Sequence, residues 1–361
     1  MRLIYILLLP SLITNCNQRV GEVKTIPAWT LANFIKADSV NPILQPSVDQ
    51  TFSCPVSNNT VRWEEKNVLN PAAVVRQGRI YLLYRAQDQK MTSRLGLATS
   101  EDGLHFTRQP LPVLFPGNDS LKKYEWNGGI EDPRIVESPD GTYILTYTAF
   151  DGTTARLCIA TSTDLKNWTK QGLAFGDGKY KNTWSKSGAI VARRVGDKII
   201  ACRINGKYWM YFGDTDIFIA NSDDLIHWKV AGKDGDQKMI PVLHPRAGYF
   251  DSELVEPGPY ALVKDEGILL IYNGSNAAAF NDDAIPKFTY SGGQALFDKN
   301  KPYKLIARTD SNFIHPDKPY EKIGEVNDVC FVEGLVHFEN KWFLYYGTAD
   351  SKIAVAVKEE K

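Results

Sequence analysis

Residues 98–106 read ATSEDGLHF, and the same pattern returns as ATSTDLKNW at 160–168 and ANSDDLIHW at 220–228. The three copies are spaced by about 60 residues, and a weaker copy, ALFD, follows at 295–298. Each copy combines the end of a strand, a polar turn and an aromatic residue that begins the next strand. The Ser and Asp side chains are expected to hydrogen-bond the turn backbone. The pattern therefore predicts a structural unit that recurs along the chain.

A second recurring feature is a series of short β-rich runs. Most of these runs are introduced by a turn that contains Gly, Asp or Asn. The runs lie at 80–84, 143–148, 199–202, 268–272 and 342–346. Repeats of this length, with several strands each and little helical periodicity, are typical of a β-propeller. We therefore predict an all-β fold, a five-bladed β-propeller with a central substrate pocket, over residues 61–361. A pair of β-sandwiches is the alternative, but it would not need a repeat of this period.

The first residues have the pattern of an export signal. Met1 and Arg2 precede an almost entirely apolar run at 3–13, which is too short to span a membrane and has the length of a signal-peptide core. Cys16 follows shortly after this run, as in a bacterial lipoprotein. We predict a signal peptide over 1–16 with Cys16 as the lipidation site, and a tether and lead-in over 17–60; simple secretion is the alternative. The predicted location is the bacterial cell envelope, with the protein lipid-anchored on the periplasmic or outer-membrane surface.

Composition narrows the possible partners. The 42 Lys and Arg residues balance the 42 Asp and Glu residues, so no nucleic-acid partner is predicted. The other cysteines, Cys54, Cys158, Cys202 and Cys330, show no CxxC or zinc-finger spacing. We therefore predict neither a metal site nor a cofactor, and the sequence predicts no oligomeric state.

Polar residues stand shortly before the five β-rich runs. They are Asn70, Glu131 with Asp132, Lys186, Glu256 and Asp328, with Glu253 and Glu333 nearby. Because the innermost strand of each blade lines the propeller axis, these side chains are expected to converge at one mouth of the central channel. Two carboxyl groups at such a site are the usual means of cleaving a glycosidic bond. The alternative for Asn70 and Asp328 is to hold turns, and the alternative for Lys186 is to pair with a carboxylate.

Several ordered motifs resemble glycoside hydrolase family 130, a family of five-bladed propeller enzymes that act on β-mannosides. The matching pieces include 70–72 (NPA), 81–86 (YLLYRA), 129–134 (GIEDPR), 184–186 (WSK), 254–259 (LVEPGP) and 324–329 (GEVNDV). The resemblance implies that Asp132 is the general acid, which in the family's phosphorylases acts through a sugar hydroxyl. It also implies inversion at the anomeric carbon and a manno-oligosaccharide or mannose-containing glycan as the ligand.

The family contains hydrolases, which use water, and phosphorylases, which use inorganic phosphate. Asn273 stands where a phosphorylase typically has His, and Glu253, Glu256 and Asp151 are expected to repel a phosphate dianion. The same carboxylates would activate water. We therefore predict an inverting hydrolase of β-mannosides, with β-1,2-linked manno-oligosaccharides as the substrates. Asp132 is the predicted acid, and Glu256 is the first choice for the group that activates water, with Glu253 and Glu333 behind it.

The remaining predicted site residues are expected to bind substrate. They are Asn70, Arg85, Glu131, Lys186, Asp328, Glu333 and Asn273. Two other functions stay open: a β-mannoside phosphorylase that releases mannose 1-phosphate, and a non-catalytic glycan-binding surface lipoprotein. Export argues against the first, because phosphorolysis usefully traps a sugar phosphate in the cytoplasm. The retained Asp132 argues against the second.

Overall fold

The computed structural model describes residues 27–231 and 239–360. Its first elements are the short strand β1 (Ile35–Lys36) and a hairpin of β2 (Thr51–Cys54) and β3 (Asn59–Arg62). Two four-residue helices, α1 (Lys122–Glu125) and α2 (Pro319–Lys322), lie in connections between strands. The predicted signal peptide and Cys16 fall outside the described residues. Within the described ranges, no helix has the length and apolar character needed to cross a membrane.

The other strands of the described ranges form five consecutive antiparallel repeats. The first repeat contains β4 (Asn67–Arg76), β5 (Arg79–Gln87), β6 (Ser93–Ser100) and β7 (Thr107–Arg108). The second contains β8 (Gly129–Glu137), β9 (Tyr143–Phe150), β10 (Ala155–Ser162) and β11 (Thr169–Leu173). The third contains β12 (Ala189–Val195), β13 (Lys198–Ala201), β14 (Tyr208–Phe212), β15 (Phe218–Ser222) and β16 (Trp228–Val230).

The fourth repeat begins with a divided strand, β17 (Leu254–Pro257) and β18 (Ala261–Val263), both of which pair with β19 (Ile268–Ser275). It continues with β20 (Tyr290–Phe297) and β21 (Leu305–Arg308). The fifth contains β22 (Cys330–Phe338), β23 (Lys341–Thr348) and β24 (Lys352–Glu359). The prediction of an all-β fold is confirmed.

The fifth repeat is completed from the other end of the chain. Strand β1 pairs antiparallel with β24, with Ile35 opposite Val357 and Lys36 opposite Ala356. The predicted start of the fold at residue 61 is therefore wrong, because part of the 17–60 lead-in is an outer strand of the last repeat. A two-residue strand is too short to show the period-2 alternation that identifies strands in a sequence.

The recurring motif forms the turn between the third and fourth strands. Asp102 Oδ1 accepts hydrogen bonds from the backbone N–H groups of Leu104 and His105, each at 2.9 Å. Asp164 and Asp224 make the corresponding bonds in the next two repeats. The prediction that the Ser and Asp side chains hold the turn backbone is confirmed, since Ser100, Ser162 and Ser222 also accept backbone N–H groups.

Four of the five repeats contain the same buried polar triad, a carboxylate held by a Tyr hydroxyl and a cation. The Tyr lies on the second strand and the cation on the outer strand, so the triad joins strands across the repeat. The four triads are Glu64–Tyr84–Arg108, Glu125–Tyr147–Lys170, Asp251–Tyr272–Arg308 and Glu321–Tyr346–Lys36. In the third repeat, Phe212 and Val230 occupy the matching ladder positions, and the Phe212 ring packs on Phe175 at 4.7 Å between centroids.

Candidate active site

Three of the first strands contain register shifts that leave polar residues outside the ladder. The shifts fall at Asn70 in β4, at Asp132 and Pro133 in β8, and at Glu333 in β22. Asn70 has φ 47° and Asp132 has φ 45°, backbone conformations that non-glycine residues rarely adopt. Bulges re-aim side chains, and backbone outliers of this kind cluster at functional sites.

Asp132 is the centre of a network of buried hydrogen bonds and ion pairs. Its side chain accepts a hydrogen bond from Asn70 Nδ2 at 2.8 Å and another from Arg85 Nη1 at 3.0 Å, both on Oδ1. The Lys186 ammonium lies 3.3 Å from Oδ2. Burial alone would raise the pKa of Asp132, but Arg85, Lys186 and Arg134 hold it well below its usual range. The carboxyl group is therefore ionised in the free protein.

Glu256 lies on the other side of the same lysine. Its Oε1 atom is 3.2 Å from Lys186 Nζ and also accepts a short hydrogen bond from the Ser187 hydroxyl. Burial raises the pKa of Glu256, while Lys186 and Arg134 oppose that rise. Because Lys186 contacts Asp132 as well, the nearest oxygens of the two carboxylates can be no more than about 6.5 Å apart.

Arg134 of the second repeat contacts the fourth and fifth repeats, and it lies close enough to Asp132 and Glu256 to affect the pKa of both. Its guanidinium donates to the carbonyl oxygens of Pro257 at 2.7 Å and Gly258 at 3.0 Å, and it forms a close ion pair with Glu333. Neither Glu333 oxygen has a hydrogen-bond partner of normal geometry among the described residues. Burial raises the pKa of Glu333 well above its usual range, and the neighbouring Arg134 opposes that rise. Arg134 therefore serves as a structural partner of a buried acid.

Arg85 also pairs with the acid that precedes Asp132. Its Nη2 atom lies 2.6 Å from Glu131 Oε1, which accepts a second hydrogen bond from the Ser93 hydroxyl at 3.0 Å. Burial raises the pKa of Glu131 against the opposing effect of Arg85. The structure thus brings together six of the predicted residues: Asn70, Arg85, Glu131, Asp132, Lys186 and Glu256, with Glu333 behind Arg134.

Three predicted site residues lie outside this network. Asn273 is buried, and its side-chain amide makes two hydrogen bonds with the backbone of Val332. Its Nδ2 donates to the Val332 carbonyl oxygen at 3.1 Å, and its Oδ1 accepts the Val332 N–H at 2.7 Å. Asn273 therefore holds the strand beside Glu333. Asp328 is partly buried and pairs with Lys322 at 2.9 Å. Glu253 is exposed, and its backbone N–H, the one group of this residue with a hydrogen bond to the described parts of the chain, donates to the Ser275 carbonyl. Glu253 and Asp328 were assigned to the site from their sequence distance to the following strand alone. That distance contains no information about local bulges.

The sequence reasoning missed Asp350 and Tyr290. Burial raises the pKa of Asp350 to about 6, with Arg85 opposing and Asp132 reinforcing the rise, which places this carboxyl beside the network. Burial raises the pKa of Tyr290 to about 12, with smaller contributions from the nearby Glu256 and Asp350 carboxyl groups. Asp350 follows the second strand of its repeat, as Asp88 and Asp151 do, so the repeat itself contained a signal for it.

The charge balance of the site is acidic. Five carboxyl groups, Glu131, Asp132, Glu256, Glu333 and Asp350, interact with three cations, Arg85, Lys186 and Arg134. The prediction that Asp151 repels an incoming anion is wrong, because Asp151 is neutralised by Arg156 at 2.6 Å and accepts turn N–H groups. Among residues 27–231 and 239–360, no group of His, Cys, Asp and Glu side chains is arranged to hold a metal.

Comparisons with known proteins agree with the fold. The family model described as β-1,4-mannooligosaccharide phosphorylase matches residues 35–361. A 1,2-β-oligomannan phosphorylase of Thermoanaerobacter sp. (strain X514) is 32% identical over 338 residues, 91% of this chain and 98% of that protein. A solved structure of a glycosyl hydrolase from Bacteroides ovatus is 44% identical with a TM-score of 0.90, covering 93% of this chain and 96% of that chain.

A second solved structure comes from work reporting that the GH130 family of mannoside phosphorylases contains glycoside hydrolases that target β-1,2 mannosidic linkages in Candida mannan. It is 43% identical with a TM-score of 0.90, over 93% of this chain and 96% of that chain. The curated relatives are named as phosphorylases, which favours the phosphorylase alternative over the predicted hydrolase. The match over nearly all of the described chain confirms the resemblance seen in the motifs. This chain belongs to glycoside hydrolase family 130, whose enzymes act on β-mannosides.

Proposed function

We propose that this protein hydrolyses β-mannosides with inversion, with β-1,2-linked manno-oligosaccharides as substrates. The observation that carries the proposal is the position of Glu256, a buried carboxylate that shares Lys186 with Asp132. A phosphate dianion entering this site would meet an excess of carboxyl groups, and like charges repel strongly where water is excluded. Water meets no such penalty, and a buried carboxylate is a suitable base for it.

The two carboxyl groups have separate tasks in this mechanism. Glu256 accepts a proton from water as the water oxygen bonds to the anomeric carbon. The bond from that carbon to the glycosidic oxygen breaks, and the leaving oxygen receives a proton that originates from Asp132, relayed by a sugar hydroxyl. Inverting enzymes separate their carboxyl groups by roughly 6.5–9.5 Å. The contacts of Lys186 set an upper limit of about 6.5 Å on the nearest oxygens here, so the separation in the free protein reaches at most the short end of that range.

Asp132 must become protonated before it can act as the acid. In the free protein, Lys186 and Arg85 keep it ionised. A sugar that enters between Asp132 and Lys186 would separate the 3.3 Å contact, weaken this stabilisation and raise the Asp132 pKa. Substrate binding and proton uptake by Asp132 are therefore coupled in the proposed mechanism.

Phosphorolysis is the second candidate, and the names of the curated relatives favour it. Asp151 does not oppose phosphate binding, because Arg156 neutralises it. In that reaction Lys186 and Arg85 would bind the phosphate, and Glu256 would need to be protonated or displaced.

The experiment that separates the two reactions uses β-1,2-mannobiose with and without inorganic phosphate. Hydrolysis gives free mannose at a rate that does not depend on phosphate. Phosphorolysis gives mannose 1-phosphate and stops when phosphate is removed. The Asp132→Asn variant serves as the control for contaminating glycosidases, because it removes the proposed proton donor.

We also propose that the protein is exported and lipid-anchored through Cys16, on the basis of the N-terminal pattern at residues 1–16. Metabolic labelling with a radioactive fatty acid tests this location. Label that enters the wild-type protein and is absent from Cys16→Ser supports the anchor, and equal labelling of the two contradicts it.

A further inference from the structure

Trp184 lies two residues before Lys186, whose ammonium contacts both Asp132 and Glu256. The segment from Trp184 to Lys186 alternates in burial: Ser185 is buried, where its hydroxyl accepts the Leu157 N–H at 3.1 Å, while Trp184 remains 47% exposed. The indole is therefore turned away from the buried Ser185 side chain and is open to solvent close to Lys186 in the chain.

The Trp184 ring is held in place rather than free to rotate. Its Nε1–H donates to Asp214 Oδ1 at 2.8 Å, and the Phe150 ring meets it edge-on at 6.4 Å between centroids. Asp214 is itself tied to the site, because the preceding Gly213 N–H donates to the Lys186 carbonyl at 2.8 Å. The Asp214 carboxylate is also close enough to affect the charges of Lys186 and Glu256.

Trp184 and Asp214 line an open cleft of about 480 Å³ together with Thr215 and Phe218. A fixed, half-exposed aromatic face beside a carboxylate suits a sugar, because the C–H face of the ring stacks on the indole while the hydroxyls donate to the acid. The second oxygen of Asp214 has no hydrogen-bond partner among the described residues, so it is available to such hydroxyls. A phosphate group is a poor occupant of the same cleft because Asp214 would repel it.

We propose that Trp184 and Asp214 form a carbohydrate subsite that binds a sugar of the chain next to the one held by Asp132 and Glu256. This inference rests on the proposed function, since it assumes a β-mannoside in the central site. It predicts that the protein binds oligosaccharides more tightly than single mannose units. Much of this difference in affinity should come from the Trp184 ring.

Binding measurements in the Asp132→Asn background test the subsite without turnover. Titration calorimetry with mannose and with β-1,2-mannotetraose compares Trp184→Ala, Trp184→Phe and Asp214→Asn with their parent. We expect Trp184→Ala to weaken tetraose binding about ten-fold and to leave mannose binding unchanged, with Trp184→Phe nearer the parent. Tyr303→Ala, which removes another half-exposed aromatic in the β20–β21 turn, is the matched control and should change neither.

Two results overturn the subsite. Equal weakening of mannose and tetraose binding in Trp184→Ala would mean that the ring only supports the central site. Unchanged tetraose binding would mean that the ring holds no sugar. Failure of the proposed function looks different: the wild-type protein would turn over no β-mannoside, while Trp184-dependent binding of the tetraose in Asp132→Asn would still decide the subsite.

Discussion

Lys186 Nζ lies 3.2 Å from Glu256 Oε1, and the same ammonium is 3.3 Å from Asp132. One cation thus contacts both carboxylates that the proposed mechanism uses. It favours the ionised form of each, whereas burial and the repulsion between the two acids raise their pKa. Lys186 is therefore expected to set the pH dependence of the reaction.

Replacing Lys186 with Met should shift the acidic limb of the activity profile to higher pH. Glu256 must be ionised to accept a proton from water, and loss of the neighbouring cation raises its pKa further. The pH dependence of kcat/KM on β-1,2-mannobiose measures the limb, and we expect kcat/KM at pH 6 to fall by roughly ten-fold or more. Lys186→Arg keeps the charge and should shift the limb less. A limb in the same position for Lys186→Met would rule out this role.

Replacing Glu256 with Gln should remove most of the activity, by roughly 10²–10⁴-fold in kcat, because the water loses its base. Azide is a nucleophile that needs no base, so it should restore turnover of an activated β-mannoside and give the α-linked mannosyl azide. The Glu253→Gln variant is the matched control at an exposed glutamate and should retain activity. Loss of activity in Glu253→Gln with little effect in Glu256→Gln would reverse the assignment.

Asp350 should make the protein less stable as the pH rises from about 4 to about 6. Its pKa in the folded protein is about 6, against an ordinary value of 3.8, so the folded state binds more protons in this window. The resulting stabilisation is complete below the unfolded pKa and is lost as the pH rises through the folded pKa. Asp350→Asn cannot ionise, so its melting temperature relative to wild type should increase over this range. A difference that is constant with pH contradicts the assignment.

The polar triads should contribute strongly to stability when one partner is removed. Lys170→Met leaves Glu125 buried without its cation, 2.6 Å away in the native protein, and should cost about 3–5 kcal/mol in the free energy of unfolding. Urea denaturation measures the change. Lys207→Met, which removes an exposed partner of Asp223, is the control and should have little effect. Equal effects of the two substitutions would show that burial of the triad does not matter.

The sequence predicts the repeat and its turns well, because the Ser and Asp of the motif act locally, within three residues of each other. It also identifies Asp132 and Glu256, each of which precedes a Pro in the first strand of a repeat, and Lys186, which lies three residues before β12. It fails where position depends on distant pairing. Strand β1 acquires its place only from β24, more than 300 residues away in the chain.

Bulges account for the other errors. Asp328 was chosen as the residue of the fifth repeat that corresponds to Asp132, whereas the register shift in β22 falls at Glu333, five positions later. Asn273 was expected to bind substrate, but both ends of its amide make hydrogen bonds to the backbone of Val332. A periodic pattern does not specify where a strand is interrupted, because the interruption depends on the partner strand.

The most direct test of the central claim is the identity of the product formed from β-1,2-mannobiose in the presence of inorganic phosphate. Proton NMR of the fresh reaction mixture resolves free mannose, its anomeric form and mannose 1-phosphate in one spectrum. The proposed mechanism predicts mannose released first as the α-anomer, at a rate unchanged by phosphate. Mannose 1-phosphate as the main product, with no turnover when phosphate is removed, would contradict it.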